Sequence, residues 1–569
     1  MKKYLMVGLG LCAGLSLAKA QSQYEVVVKS AFSPVIQDAQ KKMDMPARIV
    51  DTVGSRQKVD YSLDVRPLRT DFTPEAIAPP RVGKDPVERL YQHSLKAGAG
   101  YLQPLLDYHF NTLRSTRQSF GLRVFSHASF DQVKDCAPSD YMENAFALHA
   151  QQFRSNFVLA EQAGYSFDRF HCYGYAADSL KKATGWSQQA DDIARHYHRA
   201  YAAMQAYTPS LGKSTRLNRS YSGRYDFLYD NFHSYEHNFT AGVTLDKRVM
   251  LSSLDMFRLG GTFRMEYAHD YWDTTKAKFD TWVFHAQPKA TLADEHWSLN
   301  LGVNVGFGIE NGETSVGIFP AVTALFDIVP GILSFYGGAE GDIYSDSYLG
   351  ISKENPFLAP ALALGLDQVY HFYVGTKTNL SRDLSFGAKV ALDRHSALAY
   401  FLPDTTPIAL IDTTALRLYN TFGIAHAAAT VSNAHIDASY RFRESLKVSL
   451  DFDYFSYNTA DTVTLYYKPH YQLGFSTDYT FRQKIGVGLS LCWKGDMKAP
   501  RFAADGSMES YELPDWVDLS LNMEYIWSKR LRFFLDLNNI LGRSNLMYAG
   551  YYTERFNCLL GAKYIFGGE

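Results

Sequence analysis

The sequence predicts an all-β protein, a transmembrane antiparallel β-barrel of about 22 strands that follows a short irregular N-terminal segment. Apolar and polar residues alternate over long stretches, and Tyr (39), Phe (37) and Trp (7) make up 15% of the 569 residues. Mean hydropathy is nevertheless only −0.22. Strands with one face in lipid and the other lining a wet lumen produce this combination, although a large soluble all-β protein is an alternative.

Residues 1–20 have the features of a secretory signal peptide. Lys2 and Lys3 precede an apolar run, and Ala18-Lys19-Ala20 stands before Gln21 as a cleavage site would. Lipidation at Cys12 is the alternative, but Leu11 is bulky where a lipoprotein signal has a small residue. We therefore expect the mature chain to start at Gln21.

Residues 21–90 differ from the rest of the chain because they are rich in proline, which opposes regular strands. The prolines are Pro34, Pro46, Pro67, Pro74, Pro79, Pro80 and Pro86. We expect this segment to be irregular and to lie in the periplasm or fill the lumen. The barrel is expected to comprise residues 91–569.

Strands are predicted from the first alternating stretch, near Leu90–Ala97, to the C-terminus. The clearest examples are His296–Ile309, Glu444–Tyr457, Asp515–Ser528, Arg530–Ile540 and Phe556–Phe566. Helical periodicity is limited to a possible short turn around Pro360–Leu366. The pattern thus indicates a chain built almost entirely of strands.

Connections of alternating length support a barrel, since outer-membrane barrels have short periplasmic turns and long extracellular loops. Counting back from the C-terminus, long connections at Gly542–Thr553, Gly495–Pro514 and Ala460–Thr464 alternate with short ones at Lys529, Gln483 and Arg443–Ser445. This order places the C-terminus in the periplasm.

The strand count can be extended toward the N-terminus because two turns on the same side of the membrane are separated by an even number of strands. Because the turns at Leu380–Asp383 and Arg443–Ser445 both belong to the periplasmic side, an even number of strands must lie between them. We therefore predict a strand at Leu384–Ala397, an external loop at Pro403–Thr414 and a returning strand at Leu416–Phe442. A short turn at Pro330-Gly331 and a long loop at Ser345–Asp367 complete the count.

A barrel this wide encloses a lumen that must be plugged. We expect the lumen to be occupied by residues 21–90, by inward-folded loops such as 345–367 or by a partner protein.

Composition and motifs argue against several classes of function. With 57 basic and 59 acidic residues the formal net charge is −2, which gives no sign of a nucleic-acid partner. There is no nucleotide-binding, serine hydrolase or zinc protease signature, so neither an enzyme nor a cofactor is predicted. A hydrolase embedded in a barrel remains the alternative.

The cysteines and histidines predict no metal or disulfide site. No two of Cys136, Cys172, Cys492 and Cys558 are spaced like a metal-binding pair. Cys558 is expected to face lipid and Cys492 the lumen, so these two should not form a disulfide. The nearest approach to a metal site is His196 and His198, with His171 and Cys172 upstream, but a structural site usually needs four ligands. His233 and His237 are interpreted as parts of a solvated loop and the strand start after it.

Charged residues on the predicted lumen faces form the candidate binding surface. Their mixed signs favour an ion-paired lumen wall, and the alternative is a docking surface for whatever fills the barrel. The residues are Lys447, Asp451, Asp453, Arg532 and Asp536.

The C-terminal segments resemble the end of the barrel domain of TonB-dependent outer-membrane receptors. The similar runs are HYQLGFSTDYTFRQKIGVGLSLCWKG at 470–495, VDLSLNMEYIWSKRLRFFLDLNNILGRS at 517–544 and LLGAKYIF at 559–566. NILG at 539–542 is similar to their penultimate hairpin, and ENPFLAP at 354–360 resembles an element of Bacteroidetes-type members. The resemblance implies ligand uptake across the outer membrane of a Gram-negative bacterium.

The N-terminal segment departs from that family, whose members carry a much longer plug domain. Glu25, Val26, Val27 and Val28 weakly resemble the box that contacts TonB in such receptors.

The short N-terminal segment puts energised transport in doubt, so two hypotheses about function stay open. The first is a plugless receptor-like barrel for uptake, and the second is a structural subunit of an outer-membrane assembly or secretion complex. Outer-membrane lipids are expected partners of either, together with a lumen-closing or surface lipoprotein.

Overall fold

A computed structural model describes residues 91–568 with gaps at 114, 177, 179–192, 209–215, 252–253, 406–407, 410–414, 417–419, 461–462 and 503–506. The predictions for the signal peptide, for residues 21–90 and for the TonB-box-like residues Glu25–Val28 lie outside the described residues. Helices within the described part are too short or too polar to cross a membrane.

The described residues form a closed antiparallel barrel of 22 strands, as predicted. Its first fifteen strands are Tyr91–Gly100 (β1), Gln103–Asn111 (β2), Gln118–Ser129 (β3), Tyr141–Phe153 (β4), Val158–His171 (β5), Ala194–Tyr207 (β6), Leu217–Asp230 (β7), Tyr235–Leu251 (β8), Leu254–Trp272 (β9), Ala277–Asp294 (β10), Trp297–Glu310 (β11), Glu313–Val329 (β12), Leu333–Ser345 (β13), Leu366–Asn379 (β14) and Leu384–Pro403 (β15).

Seven more strands complete the barrel, and the described residues of its connections include three small hairpins and a helix. In chain order the later strands are Ile408–Ala409 (β16), Ala415–Leu416 (β17), Phe422–Phe442 (β18), Leu446–Thr459 (β19), Tyr471–Phe481 (β20), Ile485–Gly495 (β21), Met497–Phe502 (β22), Met508–Leu513 (β23), Trp516–Ile526 (β24), Leu531–Asn538 (β25), Leu546–Tyr548 (β26), Tyr551–Tyr552 (β27) and Asn557–Gly568 (β28). The hairpins are β16–β17, β22–β23 and β26–β27. Helix α1 spans Tyr348–Glu354.

The barrel closes where β1 pairs with β28 in a register that places Gly98 opposite Gly561. The ring of Phe534 lies against these two glycines. A Cβ atom added to Gly561 would stand 2.2 Å from the Ala97 carbonyl oxygen and 2.4 Å from Phe534 Cζ. Glycine at this position therefore allows an aromatic ring and the neighbouring backbone to approach closely at the seam.

The two faces of the barrel differ as the alternating sequence predicted. Large apolar side chains on the outer face are exposed, such as Ile318 (68%) and Val390 (60%). Polar side chains on the inner face hydrogen-bond across strands, and Asn300 Nδ2 donates to Thr323 Oγ1 at 2.8 Å. The outer face thus suits hydrocarbon and the inner face suits water.

Connections at the two ends of the barrel differ in length. The end that holds the C-terminus, here called the short-turn end, has connections such as residues 330–332, 380–383, 443–445, 482–484 and 527–530. The opposite end, here called the long-loop end, has residues 346–365, 404–421, 460–470, 496–515 and 539–556. The predicted alternation is thus confirmed in this half of the chain. Between β7 and β12, the long-loop end instead has short connections at 231–234, 273–276 and 311–312.

Two local predictions were wrong. The helix lies at Tyr348–Glu354 rather than around Pro360–Leu366, because Ser347 caps its start by accepting a hydrogen bond from the Gly350 amide at 2.9 Å. The returning strand predicted at Leu416–Phe442 is interrupted, since Leu416 belongs to hairpin β16–β17 and β18 begins only at Phe422.

Candidate functional site

Loops at the long-loop end fold inward and pack together. The name loop cap is used below for residues 346–365, 465–467 and 545–552, which contact one another and the inner face of the strands. Helix α1 is its central element. An inward-folded loop at this position was one of the three predicted ways of occupying the lumen.

A buried ion pair holds α1 against the strands. Arg195 on β6 and Asp230 on β7 are 3.2 Å apart, with side chains 1% and 0% exposed. The Tyr348 hydroxyl donates to Asp230 Oδ2 at 2.6 Å and accepts from Arg195 Nη2 at 2.9 Å. The two buried charges thereby neutralise each other, and both hydrogen-bond to the hydroxyl of Tyr348, the first residue of α1.

A pair of carboxyl groups lies beside this contact. Glu236 on β8 and Asp270 on β9 stand directly opposite each other, and each residue is 1% exposed. Glu236 Oε2 accepts a hydrogen bond from the Leu349 amide at 3.2 Å. Glu236 Oε1 and Asp270 Oδ1 are buried without a donor from the described residues. The α1 loop therefore rests on an acidic pair as well as on the ion pair.

The same loop reaches other parts of the strand ring. His426 Nε2 on β18 lies 2.6 Å from Asp346 Oδ2, and Lys468 Nζ lies 3.4 Å from Glu354 Oε1. The Tyr548 hydroxyl on β26 donates to the Glu354 carbonyl at 3.2 Å. Strands β6 to β8 and strand β18 are separated by many strands around the ring. A loop that touches both must lie across the mouth of the barrel.

Aromatic side chains form the apolar centre of the loop cap. The rings of Phe357 and Tyr551 stack at 3.9 Å, and Phe422 packs against Tyr548 at 5.1 Å. The Phe422 amide donates to the Phe357 carbonyl at 2.9 Å, so backbone pairing supports the stacking. Each large apolar side chain that is fully buried contributes about 1.5–3 kcal/mol. The loop cap is therefore packed like a small protein core.

Cys172, which follows β5, is buried in this cluster. Burial raises the pKa of its thiol to about 11. No group of three or more potential metal ligands occurs among the described residues.

A cavity of about 850 Å³ lies beside the loop cap, on the inner side of β3 to β6. The Tyr141 and Phe170 rings line it and stack at 6.4 Å with an interplanar angle of 19°. Ion-paired Asp168 and Arg199 also line it, and Arg199 Nη2 donates to the Ser352 carbonyl on α1 at 3.3 Å. Other polar lining residues are Glu143, Asn144, Lys353, Glu354, Asp518, Asn538, Glu554 and Asn557.

This arrangement can bind a ligand that has both a flat or apolar part and several polar groups. Aromatic rings supply contact area, while carboxylates, amides and cations supply directional hydrogen bonds. Apart from His171, which was named only as a possible metal ligand, the cavity residues were not singled out from the sequence, because alternation marks only the inner face. The long loop at Ser345–Asp367 was the one available signal.

The five charged residues proposed from the sequence occupy two separate parts of the inner wall. Asp453 accepts hydrogen bonds from Asn433 at 3.0 Å and pairs with His435 at 3.0 Å, while Asp451 lies opposite Gly474 and Lys447 opposite Asp478. Arg532 pairs with Glu524 at 3.1 Å, and Asp536 lies 3.7 Å from Lys96 Nζ. Asp453, Arg532 and Asp536 thus have charged or titratable partners on neighbouring strands. None of the five lines the cavity beside the loop cap.

The histidines singled out from the sequence lie apart from the cavity, except His171. His198 Nδ1 is 2.7 Å from the Tyr165 hydroxyl on the outer face, and His196 packs against Phe167. His233 lies in the connection between β7 and β8, and His237 lies in the first residues of β8, as predicted. His171 lines the cavity and is hydrogen-bonded to the Asp140 carbonyl at 2.6 Å.

Comparisons of the sequence find no counterpart. No family model matches the chain, and no curated protein matches it.

Comparison of the fold finds outer-membrane receptors. The siderophore receptor PirA from Acinetobacter baumannii superposes with a TM-score of 0.64 at 10% identity, over 84% of this chain and 81% of that chain. FpvA from Pseudomonas aeruginosa in complex with a ferric pyoverdine gives 0.62 at 11% identity, over 84% and 72%. The ferric-catecholate import receptor Fiu from Escherichia coli K12 gives 0.60 at 13% identity, over 84% and 82%. At these identities the likeness shows a shared barrel fold.

Proposed function

We propose that this chain is an outer-membrane β-barrel that captures a ligand at its long-loop end and takes it up through the lumen. The observation that carries the proposal is the cavity of about 850 Å³ beside the loop cap. Ligand sites in proteins are concave, contain aromatic surface and present a few converging polar groups, which describes this cavity. The neighbours that share the fold include a ferric-catecholate import receptor and siderophore receptors.

In this proposal the long-loop end faces the cell exterior and the C-terminus lies in the periplasm. The chain acts as a transport receptor and not as an enzyme, and residues 1–20 direct its export. It is a Bacteroidetes-type relative of TonB-dependent receptors in which Glu25–Val28 weakly resemble the box that contacts TonB. The inner wall residues Lys447, Asp451, Asp453, Arg532 and Asp536 are available to whatever enters from the periplasm.

Ligand binding to the purified barrel tests the proposal. Isothermal titration calorimetry in detergent with a ferric catecholate and a ferric pyoverdine, the chemistries named for two neighbours, should detect saturable binding. Tyr141→Ala removes one ring of the stacked pair and should weaken binding about tenfold, equivalent to about 1.4 kcal/mol. Tyr165→Ala, on the outer face, is the matched control and should bind as the wild type does.

If neither compound binds and the barrel shows no conductance in planar bilayers, the uptake function is wrong. That result would favour a second candidate, a structural subunit of an outer-membrane assembly or secretion complex. The packed aromatic centre of the loop cap favours this candidate, because a permanently closed mouth suits a scaffold. Affinity purification in mild detergent separates the two functions, since a scaffold should bring envelope proteins with it in fixed stoichiometry.

A further inference from the structure

We propose that Glu236 and Asp270 share one proton and form a pH-sensitive latch that holds the 346–365 loop across the barrel mouth. The inference is independent of the proposed uptake function, because it concerns the position of the loop and not a ligand.

The geometry allows only one of the two groups to ionise while the loop is docked. Glu236 and Asp270 are directly opposite residues of the antiparallel strands β8 and β9, so their side chains are neighbours on the same face of the wall. Both residues are 1% exposed, so neither charge is solvated. Two carboxylates that share such a site repel strongly, and one of them retains its proton. That proton also supplies the donor that Glu236 Oε1 and Asp270 Oδ1 otherwise lack among the described residues.

The contacts assign the charge to Glu236 and the proton to Asp270. Glu236 Oε2 accepts a hydrogen bond from the Leu349 amide of α1, which stabilises the ionised form. Asp270 is two residues from Trp272 on β9, so the two side chains lie on the same face of the strand. Trp272 in turn packs edge-on against Tyr348 at 4.8 Å. The loop thus contacts the ionised member directly.

Neighbouring charges do not offset a second negative charge. Arg195, the cation beside Tyr348, is already paired with Asp230. On β10, Asp280 is paired with His269 at 2.9 Å, and in the next connection Asp273 is paired with Lys276 at 2.7 Å. The titratable and charged groups around the pair are therefore Arg195, Asp230, His269, Asp273, Lys276, Asp280 and Tyr348.

The direction of the pH effect follows from these contacts. At low pH the pair holds its proton and the loop stays docked. As pH rises the shared proton is lost, and the second charge is solvated only if the 346–365 loop leaves the wall. Docking is therefore strongest in acid and weakens with rising pH, by at most about tenfold per pH unit for one linked proton.

Hydrogen–deuterium exchange on the full-length protein in detergent tests the latch. The reporter is the 346–365 segment, where the Ile351 amide donates to the Ser347 carbonyl at 2.9 Å and the Asn355 amide to the Ile351 carbonyl at 2.9 Å. Wild type and Asp270→Asn should be equally protected at about pH 6. Buried carboxyl groups titrate up to about pH 9. At that pH the 346–365 segment of the wild type should exchange about tenfold faster, or more, than the same segment of Asp270→Asn, which should stay protected.

Matched variants keep the result interpretable. Glu266→Gln changes another inner carboxyl of β9, one that is paired with Arg264 at 2.9 Å, and should behave as the wild type at both pH values. The double variant Glu236→Gln/Asp270→Asn keeps an acceptor for Leu349 and should also stay protected at about pH 9. Heat-modifiable migration in gels verifies that each barrel is folded. Equal protection of wild type and Asp270→Asn at about pH 9, or loss of protection in Asp270→Asn at about pH 6, would overturn the proposal.

Discussion

Asp230 connects three parts of the barrel mouth through its two carboxylate oxygens. Its Oδ2 atom faces Arg195 and the Tyr348 hydroxyl, while Oδ1 accepts from the Phe232 amide at 2.9 Å and the Ser234 amide at 2.8 Å. All its acceptor positions are used without water. The carboxylate therefore organises the ion pair, the β7–β8 connection and the start of α1 together.

Asp230→Ala should release α1 from the wall. The substitution leaves Arg195 buried and unpaired, which costs about 3–5 kcal/mol when a buried pair is broken. Hydrogen exchange of the 346–365 segment should accelerate accordingly, while the gel mobility of the barrel should not change. Asp273→Ala is the control, because its partner Lys276 is exposed and such pairs contribute about 1 kcal/mol or less. Unchanged exchange in Asp230→Ala would show that the ion pair does not anchor the loop.

Sequence patterns predicted the face of a residue far better than its partner. Asp536 and Arg532 were assigned to the lumen from the alternation of β25, and in the structure they pair with charged residues of the adjacent strands. Their partners Lys96 and Glu524 depend on the register of neighbouring strands, which alternation does not specify. The Glu236–Asp270 pair was missed for the same reason, since the two acids belong to different strands and become neighbours only through register.

At the scale of the element, helix α1 shows what a search for periodicity overlooks. Seven residues are too few for a recognisable 3.6-residue period. The usable signals were the capping Ser347 before it, Lys353 in its last turn and Pro356 just beyond its end. Strands, in contrast, repeat every two residues and were predicted within a few residues of their observed ends.

The pairing of β1 with β28 depends on the glycine at position 561, and this dependence can be tested. Gly561→Ala should weaken the seam by several kcal/mol, because the added Cβ atom would stand 2.2 Å from a backbone oxygen and 2.4 Å from the Phe534 ring. The midpoint of urea unfolding should fall markedly. Gly423→Ala on β18 has open space around the added atom and should have little effect. A matching midpoint for both variants would mean that the seam relaxes to accept the methyl group.

At the scale of the whole molecule, the number of strands and the closure of the ring were predictable from the sequence. Both follow from counting alternating segments and turns, which are local features. The loop cap was not predictable in the same way. Its contacts join loops from distant parts of the chain, and nothing in a loop's own sequence states which other loop it meets.

The inner wall allows a test of whether it binds a lumen partner. Replacing Arg532 and Asp536 with Ala removes the pairs with Glu524 and Lys96. A docking surface would lose its partner from affinity purifications, whereas an ion-paired wall would lose only about 1 kcal/mol per half-exposed pair and retain every co-purifying protein. The Arg501→Ala variant, at an exposed pair in hairpin β22–β23, is the control for lost surface charge.

Closure of the ring by its first and last strands has a consequence for the order of folding. β1 pairs with β2, its neighbour in sequence, but the pairing that closes the ring must wait until β28 has been made. The entropic cost of joining such distant segments grows only with the logarithm of their separation. The cost of pairing β1 with β28 is therefore modest, and it arises late in folding. The loop cap must form later still, since the strands that it bridges are brought into place by ring closure. Newly made chains should therefore pass through an uncapped barrel before the mouth is covered.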